Sequence, residues 1–132
     1  MRILVIDDDS GMTDLLTILL TTARSEVLTA NTASEGIAIL RENELDVVVL
    51  DMILPDMDGC QISKMIREFS DVPILILSAI DTPGMVAQAL DNGADDYLTK
   101  PISSGTLVAH LNKLIRRPLL VKKNKPFNGA PA

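Results

Sequence analysis

Disulfides, membrane spans and nucleic-acid surfaces each need residues that this chain has in short supply. Its 132 residues include one cysteine, Cys60, which cannot close an internal disulfide. Tryptophan is absent, and two phenylalanines and one tyrosine are the only large rings, so any core must be aliphatic. No apolar run approaches the roughly eighteen residues of a membrane-spanning helix, and no signal-peptide pattern opens the sequence. Positive charge is in deficit, with 12 Lys and Arg against 18 Asp and Glu and a formal net charge of −6. Affinity for a phosphate backbone comes mainly from clustered Lys and Arg. The one basic stretch, Arg116-Arg117 with Lys122-Lys123 and Lys125, lies near the C-terminus, so no direct nucleic-acid binding by this domain and no membrane association are expected. A soluble, cytoplasmic protein is the expectation, and the length suits one domain with one core.

What the chain does have is four apolar runs that each stop at a polar group suited to phosphate. Ile3-Leu4-Val5-Ile6 runs into Asp7-Asp8, Val47-Val48-Val49-Leu50 into Asp51, Ile74-Leu75-Ile76-Leu77 into Ser78, and Tyr97-Leu98-Thr99 leads to Lys100-Pro101. Short β-branched runs without alternation read as strands buried on both faces, hence as a parallel sheet. The carboxyl ends of parallel strands share one edge, where ligands bind.

Helical spacing fills the gaps. Ser10 is placed to cap a helix through Leu20, with Met12, Leu15, Leu16, Leu19 and Leu20 on one face. Val27 to Ala30 reads as a short strand, and a helix starting at Thr32 or Ser34 ends near Asn43. The turn chemistry of Pro55-Asp56-Met57-Asp58-Gly59 precedes a helix over Ile62, Met65, Ile66 and Phe69. Another helix runs from about Pro83 to the stop signal Asn92-Gly93. The last covers Leu107 to Ile115, and beyond Arg117 the pattern lapses into a flexible tail or linker over 118–132. Strand and helix five times over predict a doubly wound α/β sandwich.

Three acids at one edge repel each other and call for a counter-charge. Mg²⁺ suits them, since it takes a few hard oxygen ligands and keeps waters to share with phosphate. Lys100 adds a point charge and Ser78 a hydroxyl donor. One carboxylate is then free to act as a nucleophile toward phosphorus. Asp51, alone at the end of the most apolar run, is the candidate, while the adjacent Asp7 and Asp8 are placed to hold metal.

At this point the sequence resembles the receiver domain of two-component response regulators over about residues 1 to 117, through ILVIDDDS, DMILPDMDG, ILILSA and GADDYLTKP in the family's order. The resemblance implies a five-stranded parallel sheet of flavodoxin-like order 2-1-3-4-5 with five helices. It implies Asp7, Asp8, Asp51 and the Ile53 backbone carbonyl as Mg²⁺ ligands, Asp51 as phospho-acceptor, Ser78 and Lys100 as phosphoryl-binding groups, and Ser78 with Tyr97 as the switch pair. A cis peptide before Pro101 belongs to the same pattern. The side chain of Ile53 would overlook the site and influence water access. The implied partner is a sensor histidine kinase or phosphotransfer protein, and the implied reaction is the domain's own phosphorylation and dephosphorylation.

The closest likeness is to receivers that carry a winged-helix DNA-binding domain and dimerise through the fourth helix, fifth strand and fifth helix. Asp95 and Asp96 are kept, but Val86, Thr106 and His110 stand where Lys, Glu and Arg would be expected. A homodimer there would be more apolar than ionic. A stand-alone receiver and the N-terminal part of a transcription regulator both remain open.

Taken singly, each residue has an ordinary explanation. Asp7-Asp8-Asp9 reads as a solvated turn, Ser78 as a turn hydroxyl, Lys100 as a surface charge, Tyr97 as edge packing, and His110 as surface or packing. Met52 suits packing, Met57 exposure, and Cys60 a small buried or turn position. The rival from another class is an aspartate-nucleophile phosphatase of haloacid dehalogenase type built on Asp7, Asp9, Ser78 and Lys100. Against it, Gly11 stands where Thr or Val is expected, and Asp51 goes unused. A phosphate-independent interaction module is the third reading, and the full set of polar groups counts against it.

Overall fold

The computed structural model of the chain describes residues 1–21 and 25–124, with 117–124 described as backbone alone. The elements alternate from β1 (Arg2–Ile6) and α1 (Ser10–Thr21) to β2 (Glu26–Ala30) and α2 (Ala33–Glu42). They continue with β3 (Val47–Leu50), α3 (Gly59–Arg67), β4 (Ile74–Ser78), α4 (Pro83–Asp91), β5 (Asp96–Thr99) and α5 (Ser104–Asn124). All pairings are parallel, in the order β2-β1-β3-β4-β5. This is the expected doubly wound sheet.

Alternation within the central strands divides the interior into two layers. Leu4, Ile6, Val48, Leu50, Ile74 and Ile76 face α2, α3 and α4, where they pack with Leu40, Ile62, Ile66 and Ala89. Ile3, Val5, Val47, Val49, Leu75 and Leu77 face the other way, onto Leu16 and Leu20 of α1 and Leu107, Leu111 and Leu114 of α5. Each such side chain contributes about 1.5–3 kcal/mol by leaving water. Buried on both faces, the three central strands have no position for a polar residue until they end. The edge strands β2 and β5 are only partly buried, and they are the two with weaker apolar runs.

Several boundaries differ from the sequence reading. Asp9, not Ser10, caps α1, since its carboxylate accepts from the amides of Gly11 at 2.9 Å and Met12 at 3.3 Å. The buried stripe of α1 is Thr13, Leu16 and Leu20, while Leu15 turns outward. Thr32 caps α2 and Asn43 ends it, as expected. Helix α5 continues through Pro118 to Asn124, where a tail was expected from residue 118. A proline withdraws a single donor, that to the Leu114 carbonyl, and Leu and Lys, which follow it, are strong helix formers. The rest of that expected tail, 125–132, lies outside the described residues. Met57 is partly buried against the core rather than exposed, and Met52 is fully buried.

Candidate functional site

The strand order reverses direction at β1, with β2 on one side and β3 on the other. Loops leaving β1 and β3 therefore diverge, and a crevice opens between them at the carboxyl edge. The amide of Asp51 donates to the Ile6 carbonyl at 2.9 Å, and that of Asp7 to the Ala30 carbonyl at 3.0 Å. These bonds extend the sheet register by one residue and set the two acids at the crevice mouth. Carboxylate oxygens of Asp7, Asp8 and Asp51 all lie within 4.8 Å of one another.

Lys100 reaches them from the end of β5. Its Nζ lies 2.8 Å from Asp7 Oδ2 and 3.6 Å from Asp51 Oδ2, and its amide donates to the Ser78 carbonyl at 2.9 Å. The Lys100-Pro101 peptide is cis. Ser78 is buried at the end of β4, its hydroxyl beside the Asp51 carboxylate and accepting from the Ile80 amide at 3.3 Å. Five of the sequence-predicted residues, Asp7, Asp8, Asp51, Ser78 and Lys100, thus meet in one place.

Burial pushes the Asp51 carboxyl above its ordinary value, and the neighbouring Asp7 charge adds to this. Lys100, the Ile53 amide and Ser78 oppose without cancelling it. For Lys100, burial acts to lower the ammonium, but its hydrogen bond to Asp7 and the charges of Asp51 and Asp7 outweigh burial and hold it raised. The site is a cluster of partly dried acids with a single ammonium among them. Its donor set is all carboxylate oxygen, with more negative than positive charge, which fits a hard divalent cation such as Mg²⁺.

Ile53 stands at the rim, its side chain 52% exposed and its amide 3.5 Å from Asp51 Oδ1. It bridges Asp58 across the loop, and that bridge runs through the Met52 carbonyl and Gly59 amide. The Ile53 carbonyl is left out of it. Tyr97 is half-buried, donating its hydroxyl to the Ile80 carbonyl at 2.5 Å. Burial raises its phenol, the neighbouring Ser78 hydroxyl opposes this, and the Asp51 charge adds to the rise.

Three groups escaped the sequence reading. Asp56 accepts from the amides of Ala33 at 2.9 Å and Ser34 at 3.0 Å and from the Ser34 hydroxyl at 2.9 Å. Asn31 donates to the Asp7 carbonyl at 2.7 Å. His110, expected at the surface or in packing, is partly exposed and pairs with Asp96, its Nδ1 2.6 Å from Asp96 Oδ2. Only Asp56 left a trace in the sequence, within the dense turn before Gly59. A cavity of about 800 Å³ lined by Arg2, Asn43, Asp46 and Pro73 lies at the opposite, amino edge of the sheet and away from the acids. Among the described residues no helix is long and apolar enough to cross a membrane.

A family model described as the response regulator receiver domain matches residues 3–112. The transcriptional regulatory protein KdpE of Staphylococcus aureus is 39% identical over 115 residues, covering 87% of this chain and 50% of that protein. The DNA-binding response regulator MtrA of Mycobacterium tuberculosis is 36% identical over 116 residues, 88% of this chain and 51% of its own. The chain spans about half the length of the curated relatives it matches. Among solved structures, a two-component response regulator from Clostridium difficile superposes with a TM-score of 0.85 at 32% identity, covering 88% of this chain and 96% of that one. A receiver domain protein from Clostridium thermocellum gives 0.85 at 34% identity, covering 91% and 98%.

Proposed function

Since the chain belongs to the response regulator receiver domain family, we propose that it is the input switch of a two-component system that accepts a phosphoryl group on Asp51. The observation that supports this best is the gathering of Asp7, Asp8 and Asp51 beneath Lys100 where the strand order reverses. The donor is a phosphohistidine on a sensor kinase or phosphotransfer protein, or a small phosphoanhydride. A carboxylate oxygen of Asp51 bonds to phosphorus as the bond to the donor breaks, and the electron pair of that bond leaves with the donor. Asp7, Asp8, Asp51 and the Ile53 carbonyl would hold Mg²⁺, which when bound offsets negative charge gathered around the phosphoryl group. Lys100 and the Ser78 hydroxyl bind its oxygens.

The Ser78 hydroxyl also neighbours the Tyr97 phenol. Drawing Ser78 onto a phosphoryl oxygen alters that contact, and with it the face formed by α4, β5 and α5. On that face Leu90 is 43% exposed and Val86 is half-buried, while Asp96 is engaged within the same chain by His110. These features favour an apolar homodimer contact there over an ionic one. The names of the longer relatives support a transcriptional output, and a cytoplasmic setting goes with that reading.

Acetyl phosphate with Mg²⁺, followed by intact mass, tests the reading. A transient phosphoryl adduct is expected in the wild type and none in Asp51→Ala or in chelator. An adduct that survives Asp51→Ala but not Asp7→Ala would instead mark a phosphatase nucleophile. Tyr97 is the only tyrosine and there is no tryptophan, so its fluorescence should change with phosphorylation if the switch operates.

A further inference from the structure

We propose that the segment Asn31–Ser34 at the start of α2 braces the two acid-bearing loops against each other, and that Asp56 is a positioning residue for metal binding through this brace. The inference rests on the reading of the acid cluster as a Mg²⁺ site. Three residues within this four-residue segment reach the two sides of the crevice. Asn31 donates to the Asp7 carbonyl at 2.7 Å, on the loop after β1. Ala33 and Ser34 donate to the Asp56 carboxylate at 2.9, 3.0 and 2.9 Å, on the loop after β3.

Asp56 does more than finish a helix end. Thr32 already caps α2 by accepting from the Glu35 amide at 3.1 Å, and Glu35 reaches back to the Asn31 amide at 2.8 Å. That capping is complete within the segment. Asp56 comes from a different loop and takes the amides of Ala33 and Ser34, which capping has left over. The loop that carries it is pinned at its base by the Gly59 amide on the Met52 carbonyl at 2.6 Å, and by the Asp58–Gln61 capping box. In its outer arc, Leu54 and Met57 pack on the core, while Asp56 supplies the hydrogen bonds that hold the arc to the start of α2. Ile53 lies between the pinned base and that arc, so freedom at Asp56 becomes freedom at the Ile53 carbonyl relative to Asp51. Partners outside the ligand shell that orient metal ligands typically alter metal affinity by roughly 10–100-fold when lost.

Calorimetric titration of the unphosphorylated full chain with Mg²⁺ tests this, alongside thermal melts. Asp56→Ala should weaken Mg²⁺ binding by roughly tenfold. Asp56→Asn, which keeps one acceptor oxygen, should weaken it less and serves if the alanine variant does not fold. Arg41→Ala is the comparison, because it loosens α2 by removing the stacking of its guanidinium on Phe69, 4.1 Å from the ring centre, without touching the brace. It should lower the melting temperature and leave Mg²⁺ affinity unchanged. Wild-type affinity in both Asp56 variants overturns the inference alone, and so does an equal loss in Arg41→Ala. A wild type that binds no Mg²⁺ overturns the reading of the acid cluster, and the brace with it.

Discussion

At Asp51, burial and charge oppose each other, and burial wins. A carboxyl whose folded-state value lies above the unfolded 3.8 costs the fold stability once it is ionised. That cost is absent below the unfolded value, grows as pH rises toward the folded value, and is complete above it. Asp51→Asn should therefore melt higher than wild type at neutral pH, with the gain shrinking as pH falls toward 4, about the ordinary carboxylate value. Lys100 is not stranded by the change, since its shorter contact is to Asp7 at 2.8 Å. Melting curves at several pH values check it, and a lower melting temperature at neutral pH would refute it. In the proposed function, the site would trade stability for a reactive carboxylate. At this scale Asp7, Asp51 and Ser78 were legible because each is the first polar group after a run that admits none, and Lys100 because it follows the weaker run Tyr97-Leu98-Thr99. Asp56 and Asn31 were not, because a polar residue in a turn has many partners within reach and sequence does not choose among them.

Among the elements, the turn between α4 and β5 is the most constrained. Gly93 has φ +111°, a region that side chains rarely adopt. An added Cβ would also lie 2.7 Å from Arg67 Cγ. The Arg67 guanidinium binds the carbonyls of Gly93 at 3.0 Å, Ser70 at 3.2 Å and Val72 at 2.7 Å, and Asp95 Oδ2 at 2.8 Å. Asp95 in turn accepts from the Ile74 amide at 2.8 Å, so the end of α3 is locked to the starts of β4 and β5. Gly93→Ala should destabilise the fold by about 1–3 kcal/mol in urea unfolding, without removing the acceptor chemistry. Asn92-Gly93 announced the end of α4 because that signal is local. The cap of α1 was misassigned by one residue because Asp9 and Ser10 are both good caps, and only the path of the chain out of β1 selects between them.

Across the whole molecule, the two aliphatic layers hold a sheet with an open crevice at its carboxyl edge where β1 meets β3. In the proposed switch, activation would travel from there to the face of α4, β5 and α5 through Ser78 and Tyr97. If that face pairs with a second copy through apolar contact, Leu90→Glu should keep the phosphorylated protein monomeric while leaving its phosphorylation rate unchanged. Size-exclusion chromatography with and without acetyl phosphate checks both halves, and a dimer that survives Leu90→Glu would place the contact elsewhere.

The sequence by itself determined the number and order of strands and helices, because three aliphatic runs are too short for helices and too continuous for half-exposed strands, and two weaker runs, at residues 27–30 and 97–99, fall between helical segments. It also determined the chemistry of the site, because a parallel sheet brings all strand ends to one edge. Tertiary structure decided what local pattern cannot carry. Lys100 sits closer to Asp7 than to Asp51, His110 finds Asp96, and Asp56 crosses to α2. Each pairing joins residues from different elements, and it exists only once the packed layers have fixed how those elements lie against one another.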